Sequence, residues 1–425
     1  MTSCLLSEAE ARKNVNYLAT LDFIISLGFG LIMPLFPLYV DFLGGGGLEI
    51  GILFASFVLT RALLATPFGN ISDRIGRKRL ILIGSILYAI LAVLFTVPDS
   101  WFGLIFVRSL QGVASAMVWP VSEALVVDSC PADKRGASLG KIVMASNLGM
   151  VLGPFVGGAL FWLASDALSF SPGDSYKFPF YFTAVAALVG VALVWVYVTD
   201  ARTPQEHRVK LSVKKLLRPD GLDKQGVRNL NLLYANAAME GFSFSSIGPI
   251  MALFLMFEFT LEADIVSIII GVGMGIGTLA AFPSIRRIDR IGKKKMFIIG
   301  GYIAFTGTIL IPFGWPLAVV ILFLGMRSLA FQVSSPALRA MQADAVPADV
   351  RGRLIGMLES MSNLGSVIGA PVGGLLWDAF YGRELLPGFA DGTIMPFLTS
   401  GLMGIFTVSL VLLFMKERRL AASVG

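Results

Sequence analysis

The chain has 425 residues, of which 56% are hydrophobic and only 15% are charged, whereas an ordinary soluble domain carries about 25% charged residues. This composition excludes a soluble globular protein, because most of the apolar surface would face water. The single histidine, His207, lies in a polar segment, which argues against a histidine-ligated metal site.

Twelve apolar runs divide the sequence, each close to the length of about 20 residues that a transmembrane helix needs. Short polar segments separate them, apart from one long linker. The predicted spans 1 to 12 cover residues 17–41, 49–69, 79–97, 102–127, 138–164, 178–199, 229–257, 264–284, 296–313, 317–338, 354–379 and 393–415. The sequence therefore predicts an all-α membrane protein with twelve transmembrane helices.

Lysine and arginine are concentrated in alternate connecting segments. Both termini, the linker and every second loop hold 28 of the 34 basic residues, and the opposite loops hold two. Because positive charge is retained on the cytosolic side of a membrane, both termini are predicted to be cytosolic. The pI of about 9.3 then follows from topology, and no nucleic-acid partner is expected.

Two long segments of the chain repeat each other at an offset of 216 residues. The gap-free alignment joins residues 119–158 to residues 335–374 and keeps charged loop residues in register, such as Asp128 with Asp344. Such a repeat predicts two parallel halves. The predicted domains are an N-terminal six-helix bundle, a basic cytosolic linker and a C-terminal six-helix bundle, in residues 1–199, 200–228 and 229–425.

The loop between spans 2 and 3 carries the charged motif Gly69-x-x-x-Asp73-Arg74-x-Gly76-Arg77-Lys78. A second copy follows at the same offset, with Ile285 in place of the first glycine. The motif resembles the signature loop of the major facilitator superfamily of membrane transporters, and the two-bundle plan is similar to the fold of that family. The resemblance implies a transporter that works by alternating access.

The resemblance also implies a latch between the two halves on the cytosolic side. Gly69 is expected to let another helix approach closely, and Gly76 to allow a turn with positive φ. Asp73 is expected to cap a helix end, and Arg77 to pair with a carboxylate, for which Asp128 matches the family's partner. The alternative for the basic residues is a role in topology alone. The predicted latch residues are Gly69, Asp73, Arg74, Gly76, Arg77, Lys78 and Asp128.

Span 5 contains Gly149-x-x-x-Gly153-Pro154-x-x-Gly157-Gly158, which resembles a motif of the drug/proton antiporter branch of the family. Close helix packing is the alternative explanation, and a partial copy in span 11 shows that packing can maintain such a pattern. Span 1 is similar to that of tetracycline/proton antiporters, but Ile25 stands where an acidic residue is expected. Asp22, three positions earlier, is expected near the cytosolic mouth.

Span 4 contains Arg108 with Gln111 and Gly112, which resembles a family motif linked to proton coupling. An arginine inside a span costs about 2.5–3.5 kcal/mol on insertion scales. Arg108 is therefore expected to face a polar cavity with a partner. The alternative is that its side chain extends to the outer interface.

Glu240 is the leading candidate to carry a proton, because it lies near the middle of span 7 in a stretch of small and polar residues. Helical spacing places Asn236 and Ser243 on the same face as Glu240. The alternative is a permanent pair with a basic side chain. The proton-coupling residues are predicted to be Glu240, Arg108, Asp22 and Glu359, and the substrate-cavity residues Tyr234, Asn236, Asn147 and Asn363.

These features favour a secondary active transporter, with proton-coupled efflux of amphipathic small molecules as the leading hypothesis. A pH-independent or symport-type metabolite or lipid transporter is the alternative, and the 29-residue linker is too short for the added domain of a sensor. The expected partners are a small-molecule substrate, protons and membrane lipid, with no cofactor or metal, and a monomer is expected. The absence of a phosphate-binding loop or a nucleophile–base pair argues against an enzyme. The expected location is the cytoplasmic cell membrane.

Overall fold

The computed structural model of the protein describes residues 6–201, 224–285, 292–344, 351–386 and 390–415. Its helices are α1 (Glu8–Phe42), α2 (Gly47–Ile75), α3 (Arg77–Leu94), α4 (Trp101–Ser129), α5 (Arg135–Trp162), α6 (Pro172–Tyr197), α7 (Lys224–Ile247), α8 (Ile250–Phe259), α9 (Ala263–Ile285), α10 (Lys293–Leu310), α11 (Leu317–Asp344), α12 (Arg351–Phe380) and α13 (Ile394–Phe414). A π-helical turn, Leu163–Ala167, extends α5.

The predicted spans coincide with these helices, apart from span 7, which consists of α7 and α8. Pro249 causes the break, because proline has no N–H to donate to the preceding turn. Eight helical segments among the described residues are long and apolar enough to cross a membrane. Helices α3 and α10 are shorter, at 18 residues, and each begins with three basic residues. The protein is thus a multi-pass membrane protein.

Helix α1 begins nine residues before the predicted start of span 1, in a polar stretch. A capping box explains the extension, because Ser7 and Glu10 satisfy each other's backbone N–H groups. The Ser7 N–H donates to Glu10 Oε2 at 2.9 Å, and the Glu10 N–H donates to Ser7 Oγ at 3.3 Å. The polar start of α1 therefore stands outside the apolar part of the helix.

The prediction of an all-helical chain needs one small correction. Two short antiparallel strands, β1 (Glu384–Leu386) and β2 (Ala390–Asp391), lie in the connection between α12 and α13. The ribbon is confined to that connection, where the chain leaves the apolar spans and its backbone groups pair with each other. The helical architecture is otherwise as predicted.

The chain divides into two compact units. Unit 1 comprises Met1–His207 with Pro249–Gly271, and unit 2 comprises Arg208–Gly248 with Val272–Gly425. This division differs from the predicted boundaries in that α8 and the first part of α9 group with unit 1. The reason is the break at Pro249, after which α8 packs against α1.

Each unit has its own apolar core. In unit 1, α1 packs against α4, α5 and α6, and the side chains of Leu18, Leu21 and Phe36 are fully buried. In unit 2, α7 packs against α12 and α13, and a buried cluster joins α7, α10, α11, α12 and α13. Polar side chains buried in these cores are therefore candidates for a functional role.

Candidate functional site

The charged loop between α2 and α3 forms an ion-pair network in unit 1. Gly76 has a φ of +104°, which confirms the predicted positive φ. The Arg77 guanidinium Nη2 lies 2.8 Å from Asp128 Oδ2 in α4 and 3.4 Å from Asp73 Oδ1 in α2. The side chains of Arg77 and Asp128 are only 15% and 16% exposed, so water screens this pair incompletely.

The carboxylate of Asp200, which was not among the predicted site residues, caps α3. Asp200 Oδ1 accepts hydrogen bonds from the backbone N–H groups of Arg77 at 3.2 Å and Lys78 at 3.3 Å. These N–H groups have no partner within the helix, and negative charge is favourable at a helix N-terminus. The expectation that Asp73 caps the next helix is wrong for α3, because Asp200 fills that position and Asp73 pairs with Arg77 instead.

The remaining latch residues have different surroundings. Lys78 Nζ donates a hydrogen bond to the Trp195 carbonyl at 2.8 Å, which joins α3 to α6. Arg74 is exposed. No described atom lies within 4 Å of the position that a Cβ would take at Gly69, so the expected close approach of another helix is absent in this conformation.

The second copy of the loop is described only from Gly292 onward, and Asp289 lies outside the described residues. Lys293 Nζ lies 2.6 Å from Asp344 Oδ2 at the end of α11. Lys294 Nζ donates to the carbonyls of Leu412 at 3.0 Å and Met415 at 2.6 Å. Lysines thus take the bridging positions in unit 2.

Arg108 is buried, with 2% exposure, which excludes the alternative that its side chain extends to the outer interface. Its Nη1 donates to Gln111 Oε1 at 2.5 Å, its Nε has no acceptor in the described part of the chain, and four phenylalanine rings surround it. The expectation of a polar cavity around Arg108 is therefore wrong. The aromatic rings come from α1 and α2, and spacing within α4 gave no signal for them.

Asp22 is fully buried in α1, and its expected position near the cytosolic mouth stays a prediction. The Ser122 hydroxyl of α4 faces its carboxylate, but neither Asp22 oxygen has a bonded partner among the described residues. The cause is the packing of α1 against α4, which removes this part of α1 from water. Asp22 is a buried carboxylate without a described counter-ion.

Glu240 lines two small cavities inside unit 2, each of about 10 Å³, close to the room that one water molecule needs. One cavity is shared with Arg327 of α11, and the other with Asn236 of α7. The positive charge of Arg339 in α11 also acts on Glu240. The Asn236 side chain is buried and its Oδ1 has no partner among the described residues. The structure therefore brings Glu240 and Asn236 together, next to basic groups of α11.

The other predicted residues around Glu240 are placed differently. The hydroxyl of Ser243 lines the Arg327 cavity and lies 2.8 Å from the Ser400 hydroxyl of α13. Tyr234 was predicted to line a substrate cavity but is packed in the apolar cluster of unit 2, because its position on α7 faces that core. Glu359 and Asn147 are exposed, and Asn363 is half-buried.

The glycines of span 5 form a close joint, the α1–α5 seam, defined by Gly149, Gly153 and Gly157. A Cβ at Gly153 would lie 2.5 Å from the backbone N of Leu31, and one at Gly157 would lie 2.6 Å from Leu31 O. Any side chain there would collide with α1. Within unit 1, Gly158 faces the Asp264 carbonyl in the same way, and Pro154 is buried within α5.

The family model described as Major Facilitator Superfamily matches residues 18–229 and 233–424 of the chain. The chain belongs to the major facilitator superfamily. It is similar to multidrug resistance protein 2 of Bacillus subtilis strain 168, with 24% identity over 95% of both chains. It is also similar to the quinolone resistance protein NorA of Staphylococcus aureus strain MRSA252, with 24% identity over 84% of this chain and 88% of that protein.

Among solved structures, a bacterial homologue of the human lysosomal transporter Spinster superposes on this major facilitator chain with a TM-score of 0.79. The identity is 15%, and the match covers 96% of this chain and 97% of that chain. The likeness shows the fold. Membership of the major facilitator superfamily confirms the expected fold class and makes the protein a transporter rather than an enzyme.

Proposed function

We propose that this protein exports amphipathic small molecules in exchange for protons by alternating access. The names of its relatives support drug efflux, since they are a multidrug and a quinolone resistance protein. The observation that carries the proposal is the position of Glu240, a carboxyl group inside a helix bundle that lines two small cavities. A single proton can be held there and released through water.

Glu240 is proposed as the group that exchanges a proton for a positively charged substrate. An ionised carboxylate inside a bundle is costly unless a proton or a cation neutralises it. Protonation and a cationic substrate therefore compete for one site. Arg339 stabilises the ionised form between the two events, because its positive charge acts on the Glu240 carboxylate, and Arg327 lines the same cavity as Glu240. Asn236 offers a further polar contact.

Asp22 is proposed as a second protonatable group, in unit 1. Its carboxylate is buried without a described counter-ion, so the same cost applies to its ionised form. Glu359 is a weaker candidate, since its side chain is not enclosed by other side chains of the protein. The proposed substrate contacts are Asn236, Asn147 and Asn363.

The Arg77–Asp128 pair is proposed to stabilise one of the two transport conformations. The pair joins the start of α3 to the end of α4, on the side where the basic loops lie. Both termini are proposed to be cytosolic, in the cytoplasmic membrane of the cell, because the basic residues concentrate on that side.

Reconstitution in liposomes with an acidic interior and a pH-sensitive dye tests the proposal. Lipophilic cations and neutral drugs are added in turn to wild type, Glu240→Gln and the control Glu262→Gln, an exposed glutamate between α8 and α9. We expect one or more compounds to collapse the gradient with wild type and the control, and Glu240→Gln to match empty liposomes.

A flat trace from folded protein across the whole panel would contradict proton-coupled efflux. Counterflow of a metabolite or lipid that does not respond to pH would then favour the alternative transporter. Unchanged proton movement in Glu240→Gln, with efflux intact, would contradict the role of Glu240 and leave efflux standing.

A further inference from the structure

Four phenylalanine rings surround the Arg108 guanidinium and form the cage, which consists of Phe29 and Phe36 of α1 and Phe54 and Phe57 of α2. The Arg108 Cζ lies 4.7 Å from the ring centroid of Phe36, 4.8 Å from Phe57, 5.0 Å from Phe54 and 5.6 Å from Phe29. A cation within about 6 Å of an aromatic centroid is attracted by the ring. All four distances meet that limit.

The four rings of the cage are the main groups that offset the cost of burying the positive charge of Arg108. Among the described residues no carboxylate pairs with Arg108, and its described hydrogen bond is the one to Gln111 Oε1, at 2.5 Å. Its Nε donor is buried without an acceptor in the same part of the chain. A buried charge normally requires an ion pair and full hydrogen bonding. The rings supply here what a carboxylate supplies elsewhere.

A second arginine lies on an aromatic face beside the cage. The Arg61 guanidinium carbon is 5.2 Å from the Trp119 ring centroid, and the Trp119 ring meets the edge of Phe29 at 6.2 Å. Trp119, Phe29 and Phe54 are half-buried, whereas Phe36 and Phe57 are buried. The aromatic faces therefore run from a partly exposed end into the closed cage, all within unit 1.

We propose that the cage is a binding site for a compact cationic group, a guanidinium or quaternary ammonium, and that Arg108 occupies it while the ligand is absent. The ligand is the positively charged end of a transported molecule, and in that respect the inference rests on the proposed function. Aromatic cages of this kind recognise quaternary ammonium groups in other proteins. Arg108 has the same charge and a similar size.

The exchange of Arg108 for a ligand is feasible because little holds the arginine apart from the rings. One hydrogen bond, to Gln111, breaks when the side chain leaves, and no described ion pair breaks with it. The incoming cation takes up the attraction of the rings that the guanidinium gives up. Arg61 on Trp119 shows that the outer aromatic face also accepts a guanidinium.

Binding to purified protein in lipid nanodiscs, with no gradient, tests the cage directly. The probes are choline and its neutral isostere 3,3-dimethyl-1-butanol, measured by calorimetry against wild type, Arg108→Ala, and Arg108→Ala combined with Phe36→Leu. The matched control combines Arg108→Ala with Phe95→Leu, because Phe95 is fully buried and packs on Phe36, with a centroid distance of 5.6 Å, but does not face the guanidinium.

We expect Arg108→Ala to bind choline more tightly than wild type, because the arginine no longer competes. Loss of the Phe36 ring should weaken choline binding by roughly fivefold, while Phe95→Leu leaves it unchanged. The neutral isostere should bind weakly and equally to all variants. Equal binding of choline and the isostere to Arg108→Ala, or no effect of Phe36→Leu, would overturn the proposal.

Should Arg108→Ala fold poorly, thermal unfolding gives the same test by chemical rescue. We expect methylguanidinium and choline to raise the unfolding temperature of the variant, and urea and the isostere not to do so. Rescue by all four compounds alike, or by none, would contradict a cation site. Since neither measurement needs proton movement or transport, a negative result here leaves the proposed antiport open, and a failure of antiport leaves the cage testable.

Discussion

A glycine with positive φ precedes α3 in the first half and α10 in the second, but the described ionic contacts beside the two glycines differ. Gly76 and Gly292 have similar φ values, +104° and +95°, so the backbone has a similar conformation at the residue that precedes α3 and at the residue that precedes α10. In unit 1 an arginine contacts two carboxylates and Asp200 caps the following helix. In unit 2 a lysine contacts Asp344, and a lysine, Lys416, stands at the position that corresponds to Asp200.

This difference separates two roles of the motif. The glycine turn connects two antiparallel helices and is needed wherever that connection occurs, so both halves keep it. The planar guanidinium of arginine can contact two carboxylates at once, whereas a lysine ammonium is a single point charge. The first half is therefore built for the stronger ionic joint.

The glycine seams, in contrast, are alike in both units. Gly153 packs on the backbone of α1, and Gly369 packs on the backbone of α7 at Phe242. Both halves keep this contact, which agrees with the packing alternative for these glycines, and the feature that distinguishes the first-half motif is Pro154, which directly follows Gly153. In α12 an alanine separates Gly369 from Pro371.

The largest expected effect tests whether the seams are equivalent. Gly153→Ala and Gly369→Ala should each lower the free energy of unfolding by about 1–3 kcal/mol, because the added methyl group collides with backbone atoms. Thermal or denaturant unfolding in nanodiscs measures this. Gly140→Ala in α5 is the control, since a Cβ there meets no described atom, and it should be neutral or stabilising by about 0.5–1 kcal/mol. A loss of stability in only one of the two variants would show that the two seams are not equivalent.

The next effect tests the two ion pairs. Asp128→Asn should cost about 1–2 kcal/mol, because it leaves the buried part of Arg77 without its closest acceptor. Asp344→Asn should cost about 0.2–1 kcal/mol, since its pair with Lys293 is more than one-third exposed. Unfolding measurements compare the loss of stability in the two variants, with the exposed Asp133→Asn as control. Equal costs at the two positions would mean that arginine gives no advantage.

A smaller effect concerns the cap on α3. Asp200→Ala should destabilise the first turn by about 0.5–2 kcal/mol, and Asp200→Asn by less, because asparagine keeps a side-chain acceptor. Hydrogen exchange of the Arg77 and Lys78 amides measures the local opening. We expect faster exchange in Asp200→Ala without a change in the first turn of α10. Unchanged exchange would show that water replaces the carboxylate without loss.

The smallest effect depends on pH and is specific to the first half. The Lys134 ammonium donates a hydrogen bond to Glu8 and attracts it, which lowers the pKa of the Glu8 carboxyl below its ordinary value of 4.5. The stability that the pair contributes is present above pH 4.5 and is lost as the pH falls through the lowered pKa. The corresponding residues of the second half are Lys224 and Val350.

Unfolding of wild type and Glu8→Gln across the acidic range measures this contribution. The two curves should differ slightly at neutral pH and meet at low pH, because protonated glutamic acid and glutamine are both neutral. Both side chains are exposed, so added salt should reduce the difference. A difference that grows as the pH falls would contradict the assigned sign.

Much of the architecture could be predicted because each membrane span is specified by a run of apolar residues that are neighbours in the sequence. The spans follow from runs of apolar residues, and the positive φ at Gly76 follows from its place between two helices. The early start of α1 was missed, since the capping box of Ser7 and Glu10 lies in a polar stretch that hydropathy ignores. The break in span 7 was also missed, although Gly248-Pro249 marks it in the sequence.

The site could be predicted less completely because its contacts join distant segments. Asp200 caps residues more than 120 positions earlier, and an aspartate after a span has no feature that identifies its partner. Glu240 and Asn236 could be paired, since they lie one turn apart on a single helix. The rings around Arg108 could not, because their directions depend on how α1 and α2 pack together.

The α1–α5 seam has a consequence for how this protein can diversify. Gly153 and Gly157 contact backbone atoms of Gly30 and Leu31 in α1. Substitutions at other positions of α1 change side chains and leave these backbone atoms in place. The joint therefore does not depend on the identity of most α1 side chains. Substitutions at the half-buried Phe29 can therefore alter the cage while the docking of α1 on α5 persists, so a lineage can acquire a new substrate range without first rebuilding the bundle.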